Sequence, residues 1–421
     1  MSKTKEFLKT NLPLIVFSLI AVFGWIKGSF SRGDFIGYIL TAKLDAAGGH
    51  IYSIGENTWP PLFTIFCKPL ANVTDEIRPV IYFFWLALTL LTFYFILKQV
   101  RDFLYGADSD YLLSKKGFLS INSWQIWIPL ALMMKFLLDN LTNVQINIFF
   151  LLACLFMFKA FQKKQAVLVG FILAITISLK VYTIFIFFYF LYRRDFKSVI
   201  WASVFLVLLN GISFLYWGID LATEYYTFWA ETVTARSDFV DHKNQSIFGT
   251  FHRFLTTADP GHKMDAHIMD LSPDLVQRLV FGVIGIAALI PLYLFRKPMK
   301  DRFSFASIIE YSIVLNAIPI LSPISWKAYY IFITLPVFLL FNVCYNSNIE
   351  QVKFIKTYKF LFIIALTLLT LSAELFTGKY FSDVLETYSA YTVGAVILLA
   401  IQLHLYFLVN ERELIVKLNR H

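Results

Sequence analysis

Apolar runs of roughly membrane-spanning length recur along the chain, separated by short polar breaks. Counted by hydropathy they predict about twelve transmembrane helices. These fall near 12–29, 76–98, 124–138, 144–162, 165–178, 181–192, 197–217, 276–295, 304–321, 327–345, 357–376 and 388–409. The pattern therefore predicts an all-α polytopic membrane protein. The fifth and sixth runs are short, as in a tilted or broken pair. The remainder is one transmembrane domain over 1–421, with C-terminal helices in 346–421.

Two longer polar stretches interrupt the apolar pattern, 30–75 and 218–275. In the first, Phe35, Ile36, Tyr38, Ile39, Leu40 and Leu44 recur at helical spacing, and Gly48-Gly49 closes the run. This predicts an amphipathic helix on the membrane surface, starting at Asp34. Pro60-Pro61 opens a second short apolar helix, Leu62 to Leu70. The segment 99–123 also reads as interfacial.

Charge fixes the expected orientation. With the N-terminus in the cytoplasm, the inner connections receive Lys98, Arg101, Lys115 and Lys116, then Lys163 and Lys164, then Arg193, Arg194 and Lys197. Arg296, Lys297, Lys300 and Arg302 follow, then Lys353 and Lys356, then Arg412, Lys417 and Arg420. The stretch 218–275 is acid-rich, with Asp220, Glu224, Glu231, Asp238, Asp241, Asp259, Asp265, Asp270 and Asp274. The positive-inside rule then puts both termini in the cytoplasm and both long loops outside. Loops on a rigid scaffold carry chemistry, so the working face is expected to be extracytoplasmic.

Composition agrees: 58% of the 421 residues are hydrophobic and 15% are charged, where soluble chains have about 25% charged. The net charge of +9 sits in short inner loops, which is a topology signal and excludes nucleic acid as the expected partner. Cys67, Cys154 and Cys344 are far apart and show no metal or disulfide spacing. His50, His242, His252, His262 and His267 fall in the two outer loops without zincin spacing, so no metal is expected. There is no phosphate-cradling glycine loop for a nucleotide, and no cofactor is expected.

The candidate chemistry lies on the outer side. Asp34 is either the N-cap of the surface helix or a general base for an incoming hydroxyl, and the two roles are compatible. Asp45, on nearly the same helical face, is its rival. Lys180, between two apolar runs, either snorkels to headgroups or holds an anionic phosphate. Lys327 and Arg253 offer the same choice between solvent and phosphate. Asn143, Gln145 and Asn147 bring three amides to the mouth of one span, suited to interhelical bonding or to hydroxyl recognition. Asn244 and Gln245, before Ser246, pose the same alternative.

In order, the residues are Asp34, Gly48-Gly49 with Tyr52, and Trp59-Pro60-Pro61-Leu62-Phe63. Then come Gln145 with Asn147, Leu179-Lys180 with Tyr182, Asn244-Gln245-Ser246 with Arg253, and Leu321 to Trp326. This order, over about residues 30–340, resembles glycosyltransferase family 87 of the GT-C superfamily, membrane enzymes similar to polyprenol-phosphate-mannose-dependent α-mannosyltransferases. The resemblance implies a GT-C-type helix bundle, a polyprenyl-phosphate sugar donor, a glycan or glycolipid acceptor, an extracytoplasmic site and no required metal. It implies Asp34 as catalytic base; Lys180, Arg253 and Lys327, outer-side cations in motif-like contexts, are the donor-phosphate candidates. Trp59, Asn143, Gln145, Asn147, Tyr182, Asn244, Gln245, Ser325 and Trp326 become substrate-binding candidates. Family members often carry His after the Ser-Pro-x-Ser-Trp motif; here Lys327 stands there, which leaves the sugar open. Short loops point to a bacterial inner membrane. A transporter or flippase, or a polymerase or ligase of lipid-linked glycans, would share the polytopic pattern. Transporters, however, place their sites on broken helices at the midplane.

Overall fold

The apolar runs are helical, as residues with saturated backbone hydrogen bonding must be in lipid. The computed structural model describes residues 19, 22–26, 33–53, 57–105, 124–234, 239–261, 264–299, 301–345, 354–372 and 374–411. Among them the α-helices are α1 (Asp34–Ala46), α2 (Pro61–Cys67), α3 (Arg78–Tyr105), α4 (Trp124–Thr142), α5 (Asn147–Gln162), α6 (Ala166–Leu179), α7 (Ile184–Tyr192) and α8 (Phe196–Trp217). They continue with α9 (Ile219–Thr234), α10 (Ile247–Leu255), α11 (Pro273–Leu294), α12 (Phe305–Leu321), α13 (Thr334–Tyr345), α14 (Ile355–Leu371), α15 (Glu374–Thr387) and α16 (Ala390–Glu411). No strand occurs among the described residues.

Among the described residues five helical stretches are long and apolar enough to cross a membrane: Arg78–Tyr105, Phe196–Trp217, Pro273–Leu294, Lys327–Tyr345 and Ala390–Asn410. A 22-residue helix is about 33 Å long, which matches the ~30 Å hydrocarbon core. Asn147–Gln162, Ala166–Leu179, Val181–Tyr192 and Phe305–Leu321 are apolar but shorter. The full count of about twelve spans is thus not reached by helix length alone. Hydropathy windows run across breaks that the backbone makes, such as the extended residue Lys180 between α6 and the 3-10 turn Val181–Thr183. The expected first span and the segment 99–123 lie largely outside the described residues.

The chain forms two compact units. The first draws on Leu14–Leu97 and Leu138–Arg236. Here α6 packs against α8 and α5. A Cβ on Gly170 would lie 2.5 Å from Cβ of Trp201 and 2.6 Å from the Ala202 nitrogen, so only glycine permits this approach of α6 and α8. Helix α1 buries Phe35, Tyr38, Ile39 and Ala42, and packs on α2, which has Pro61 at its first position. Ile51, Tyr52 and Tyr225 form a small core that ties the loop after α1 to α9.

The second unit draws on Lys98–Leu137 and Ser237–His421. Helix α16 packs against α12 and α14. Buried amides join α12 to α16: Asn316 donates to Gln402 Oε1 at 2.8 Å, and Gln402 donates to Ser312 Oγ at 2.6 Å. Such bonds hold helices together where lipid offers no hydrophobic drive. Helix α10 is capped by Ser246 Oγ, which accepts from the Gly249 amide at 3.0 Å. Its Phe248 packs on Val276 and Val280 of α11.

Candidate active site

The first cluster lies in the first unit, where α1, the α4–α5 turn and the α6 C-terminus meet. Asp34 is the first residue of α1; Gly33 is the N-cap, so Asp34 does not cap its own helix. A Cβ on Gly33 would come within 2.9 Å of the Asn143 backbone, so the missing side chain lets α1 start against the α4–α5 turn. That turn holds Val144 at φ 55°, an uncommon conformation for a β-branched residue. It delivers Gln145, whose Nε2 donates to Asp34 Oδ2 at 2.5 Å.

Lys180 continues the chain of contacts. Its Nζ donates to Gln145 Oε1 at 3.4 Å and to Asn147 Oδ1 at 3.1 Å. Asn147 Oδ1 also accepts from Tyr182 OH at 2.9 Å, and its Nδ2 donates to Asn140 Oδ1 at 3.2 Å. Each amide orientation is thereby fixed, because a carboxylate only accepts and an ammonium only donates. Lys180 is 6% exposed. Burial lowers its pKa to about 8, with the Asp34 charge acting against the fall. Burial raises the Asp34 pKa above the ordinary carboxylate value, while Lys180 and Gln145 hold it down. Among the described residues no hydrogen bond reaches Asp34 Oδ1, and Asp34 is only half-buried. The carboxylate therefore has one oxygen pinned and one open.

Asp45, the rival carboxylate, is committed elsewhere. Its oxygens accept from Trp217 Nε1 at 2.7 Å and Tyr216 OH at 2.9 Å. Trp59 is packing material: it is buried, with its ring 4.7 Å from that of Tyr38, and its carbonyl accepts from Tyr52 OH at 2.8 Å. Asn143 is half-buried and donates to Asp139 Oδ1 at 3.2 Å.

The second cluster lies in the second unit. Arg253, 2% exposed, donates to the carbonyls of Thr387 at 3.0 Å, Asp241 at 2.7 Å and Asn244 at 2.7 Å, and to Ser389 Oγ at 2.6 Å. Asn244 Nδ2 donates to the carbonyls of Phe239 and Pro323, and its Oδ1 accepts from the Ser325 amide at 3.0 Å. Gln245 Nε2 donates to the carbonyls of His242 at 2.6 Å and Glu386 at 2.7 Å. These side chains staple three loop segments by satisfying buried backbone groups. The Arg253 guanidinium, the Asn244 amide and Gln245 Nε2 thus bond chiefly the protein's own backbone, while Gln245 Oε1 is buried with no hydrogen-bond partner among the described residues.

Lys327 differs. Its ammonium lies 2.6 Å from Glu386 Oε1, with the Lys327 side chain 20% exposed and Glu386 wholly buried. Burial raises the Glu386 pKa and Lys327 opposes this. The second oxygen of Glu386 is buried with no hydrogen-bond partner among the described residues. Asp383, one turn earlier on α15, and His242 bring ligand atoms within 4.8 Å of one another and of Glu386. The charge that a cation would bring there is already supplied to Glu386 by Lys327. Trp326 beside it is half-buried, and Ser325 Oγ is buried with no hydrogen-bond partner among the described residues. Sequence reasoning missed Glu386, Asp383 and α15 as a whole. The available signal was acids at i, i+3 in a short, weakly apolar stretch, which hydropathy reads as a loop.

Neither curated proteins nor solved structures yield a match to this chain. The profile of glycosyltransferase family 87 matches residues 57–323, more than half of the chain. The match takes in Gln145, Asn147, Lys180 and Arg253; Asp34 lies upstream of its start at residue 57, and Lys327 just after its end. The five helices among the described residues that are apolar enough to span a membrane fit a membrane enzyme. The chain belongs to glycosyltransferase family 87.

Proposed function

We propose that this glycosyltransferase moves one sugar, mannose or a similar hexose or pentose, from a polyprenyl-phosphate donor to a glycan or glycolipid on the extracytoplasmic face. Asp34 is the catalytic base. Its open oxygen takes the proton of the acceptor hydroxyl while the acceptor oxygen bonds the anomeric carbon. The anomeric carbon–oxygen bond to phosphate breaks, and its electron pair leaves on the polyprenyl phosphate. Phosphate is a good leaving group, so no general acid is needed; a cation that neutralises its oxygens lowers the barrier. Lys327 is kept as a candidate for that cation from its place after the Ser-Pro-x-Ser-Trp motif. Half-buried Asn143 and Trp326 remain candidates for substrate contact.

The observation that carries this reading is the asymmetric Asp34 carboxylate, one oxygen held at 2.5 Å by Gln145 and the other unbonded among the described residues, in a chain of family 87. The basic inner loops support an outward-facing site and cytoplasmic termini. The GT-C-type bundle and a bacterial inner membrane belong to the same proposal. The test is transfer by purified protein in detergent, with labelled mannosyl phosphate on a short polyprenol and a glycolipid acceptor. Labelled glycolipid supports the proposal. Movement of intact lipid-linked sugar across proteoliposomes without bond cleavage overturns it, as does turnover of preassembled oligosaccharide donors alone.

A further inference from the structure

Lys180 and Asp34 are joined by one amide group. Gln145 accepts from the Lys180 ammonium and donates to the Asp34 carboxylate. A hydrogen bond accepted at an amide oxygen polarises the N–H donated at the other end. Asn147 holds Lys180 from its other side and is itself held by Tyr182 and Asn140. The ammonium is deeply buried behind this screen of amides, which is the wrong place for a group that must reach a lipid phosphate.

We propose that Lys180 and Gln145 are positioning residues for Asp34, fixing which carboxylate oxygen is presented and keeping it ionised, and that Lys180 is not a donor-phosphate ligand. The inference rests on the reading of Asp34 as the base. A carboxylate partly withdrawn from water tends to hold its proton, and a protonated Asp34 cannot accept one from the acceptor. The Lys180 charge offsets that tendency through Gln145, whose side chain also blocks rotation of the carboxylate. Desolvation and the opposing charge both act on Asp34, with desolvation the larger. A base limb in activity is therefore expected above the usual aspartate range, with activity rising as pH rises through it.

The experiment measures kcat, donor KM and the pH profile of kcat/KM for Lys180→Met, Lys180→Arg, Gln145→Leu and Gln145→Glu, with Asp34→Asn alongside. For Lys180→Met the rising limb should move up by about one to three pH units, the usual worth of one nearby opposite charge. Its kcat at neutral pH should fall about 10–100-fold and recover at higher pH, while donor KM stays within about threefold. Lys180→Arg should return the limb towards its original place. Gln145→Leu should lower kcat without raising donor KM. Gln145→Glu, which sets a second carboxylate against Asp34, should raise the limb even with Lys180 present. A donor KM raised tenfold or more in Lys180→Met, with the limb unmoved, overturns the proposal and makes Lys180 a donor ligand. An equal loss at every pH in all four variants, tracking the folded fraction, also overturns it, leaving the cluster a structural network. If Asp34→Asn itself keeps transfer, the base assignment fails, which is a different result from a relay that fails while Asp34→Asn is inactive.

Discussion

Replacing Asp34 by asparagine is the sharpest perturbation of the proposed chemistry. The structure suggests how little else it disturbs. Gly33, not Asp34, caps α1, so no cap is lost. The amide that replaces the carboxylate can turn its oxygen to Gln145 Nε2 and keep that bond. The open oxygen becomes an NH2 group, which cannot take a proton from a hydroxyl. Transfer should therefore fall about 10²–10⁴-fold, or about 2.7–5.4 kcal/mol of transition-state stabilisation. The buried neighbour feels the change too. Asp34 holds up the pKa of Lys180, which is already lowered to about 8. If Lys180 drops by one further pH unit, the cost at neutral pH is about 1 kcal/mol. A fold of about 5–15 kcal/mol stability tolerates this. Asp45→Asn is the control, since its oxygens accept from Tyr216 and Trp217. Both variants are purified in detergent, checked by thermal melting, and assayed for transfer and donor binding. A folded Asp34→Asn protein with near-normal transfer refutes the reasoning, and the base must then be sought elsewhere.

Lys327→Met should destabilise the protein by about 3–5 kcal/mol, because wholly buried Glu386 loses its ammonium partner. Adding Glu386→Gln should restore melting but not transfer; restored transfer would remove Lys327 from the chemistry. Asn244→Ala strands the carbonyl of Phe239 and the Ser325 amide, while the Pro323 carbonyl keeps its bond from Ser246 Oγ, so stability should fall by about 2 kcal/mol. Donor KM of the folded fraction should stay unchanged, and a selective rise in KM would show that Asn244 touches substrate. Lys243 is exposed and the three native cysteines are buried, so Lys243→Cys should react with an impermeant maleimide in intact cells. Labelling only after permeabilisation would reverse the orientation and move the site to the cytoplasmic side.

The sequence alone carries the helical membrane class, the helix from Asp34, and the motif order that leads to family 87. These are local or periodic properties: apolar run length, the 3.6-residue spacing of Phe35, Tyr38 and Ile39, and Pro61 at a helix start. It also picks out Asp34, Gln145, Asn147, Lys180 and Tyr182 as candidate site residues, Lys180 because a cation between two apolar runs is costly. What those residues do is decided by tertiary structure, because a hydrogen bond has a partner and a sequence position does not. Gln145 and Asn147 are suited by type to bind hydroxyls, yet they bridge Lys180 and Asp34. Arg253 looks like a phosphate ligand, yet its donors go to three backbone carbonyls and Ser389. Glu386 is legible only after folding: its weight comes from total burial against Lys327, distant in sequence and 2.6 Å away in space.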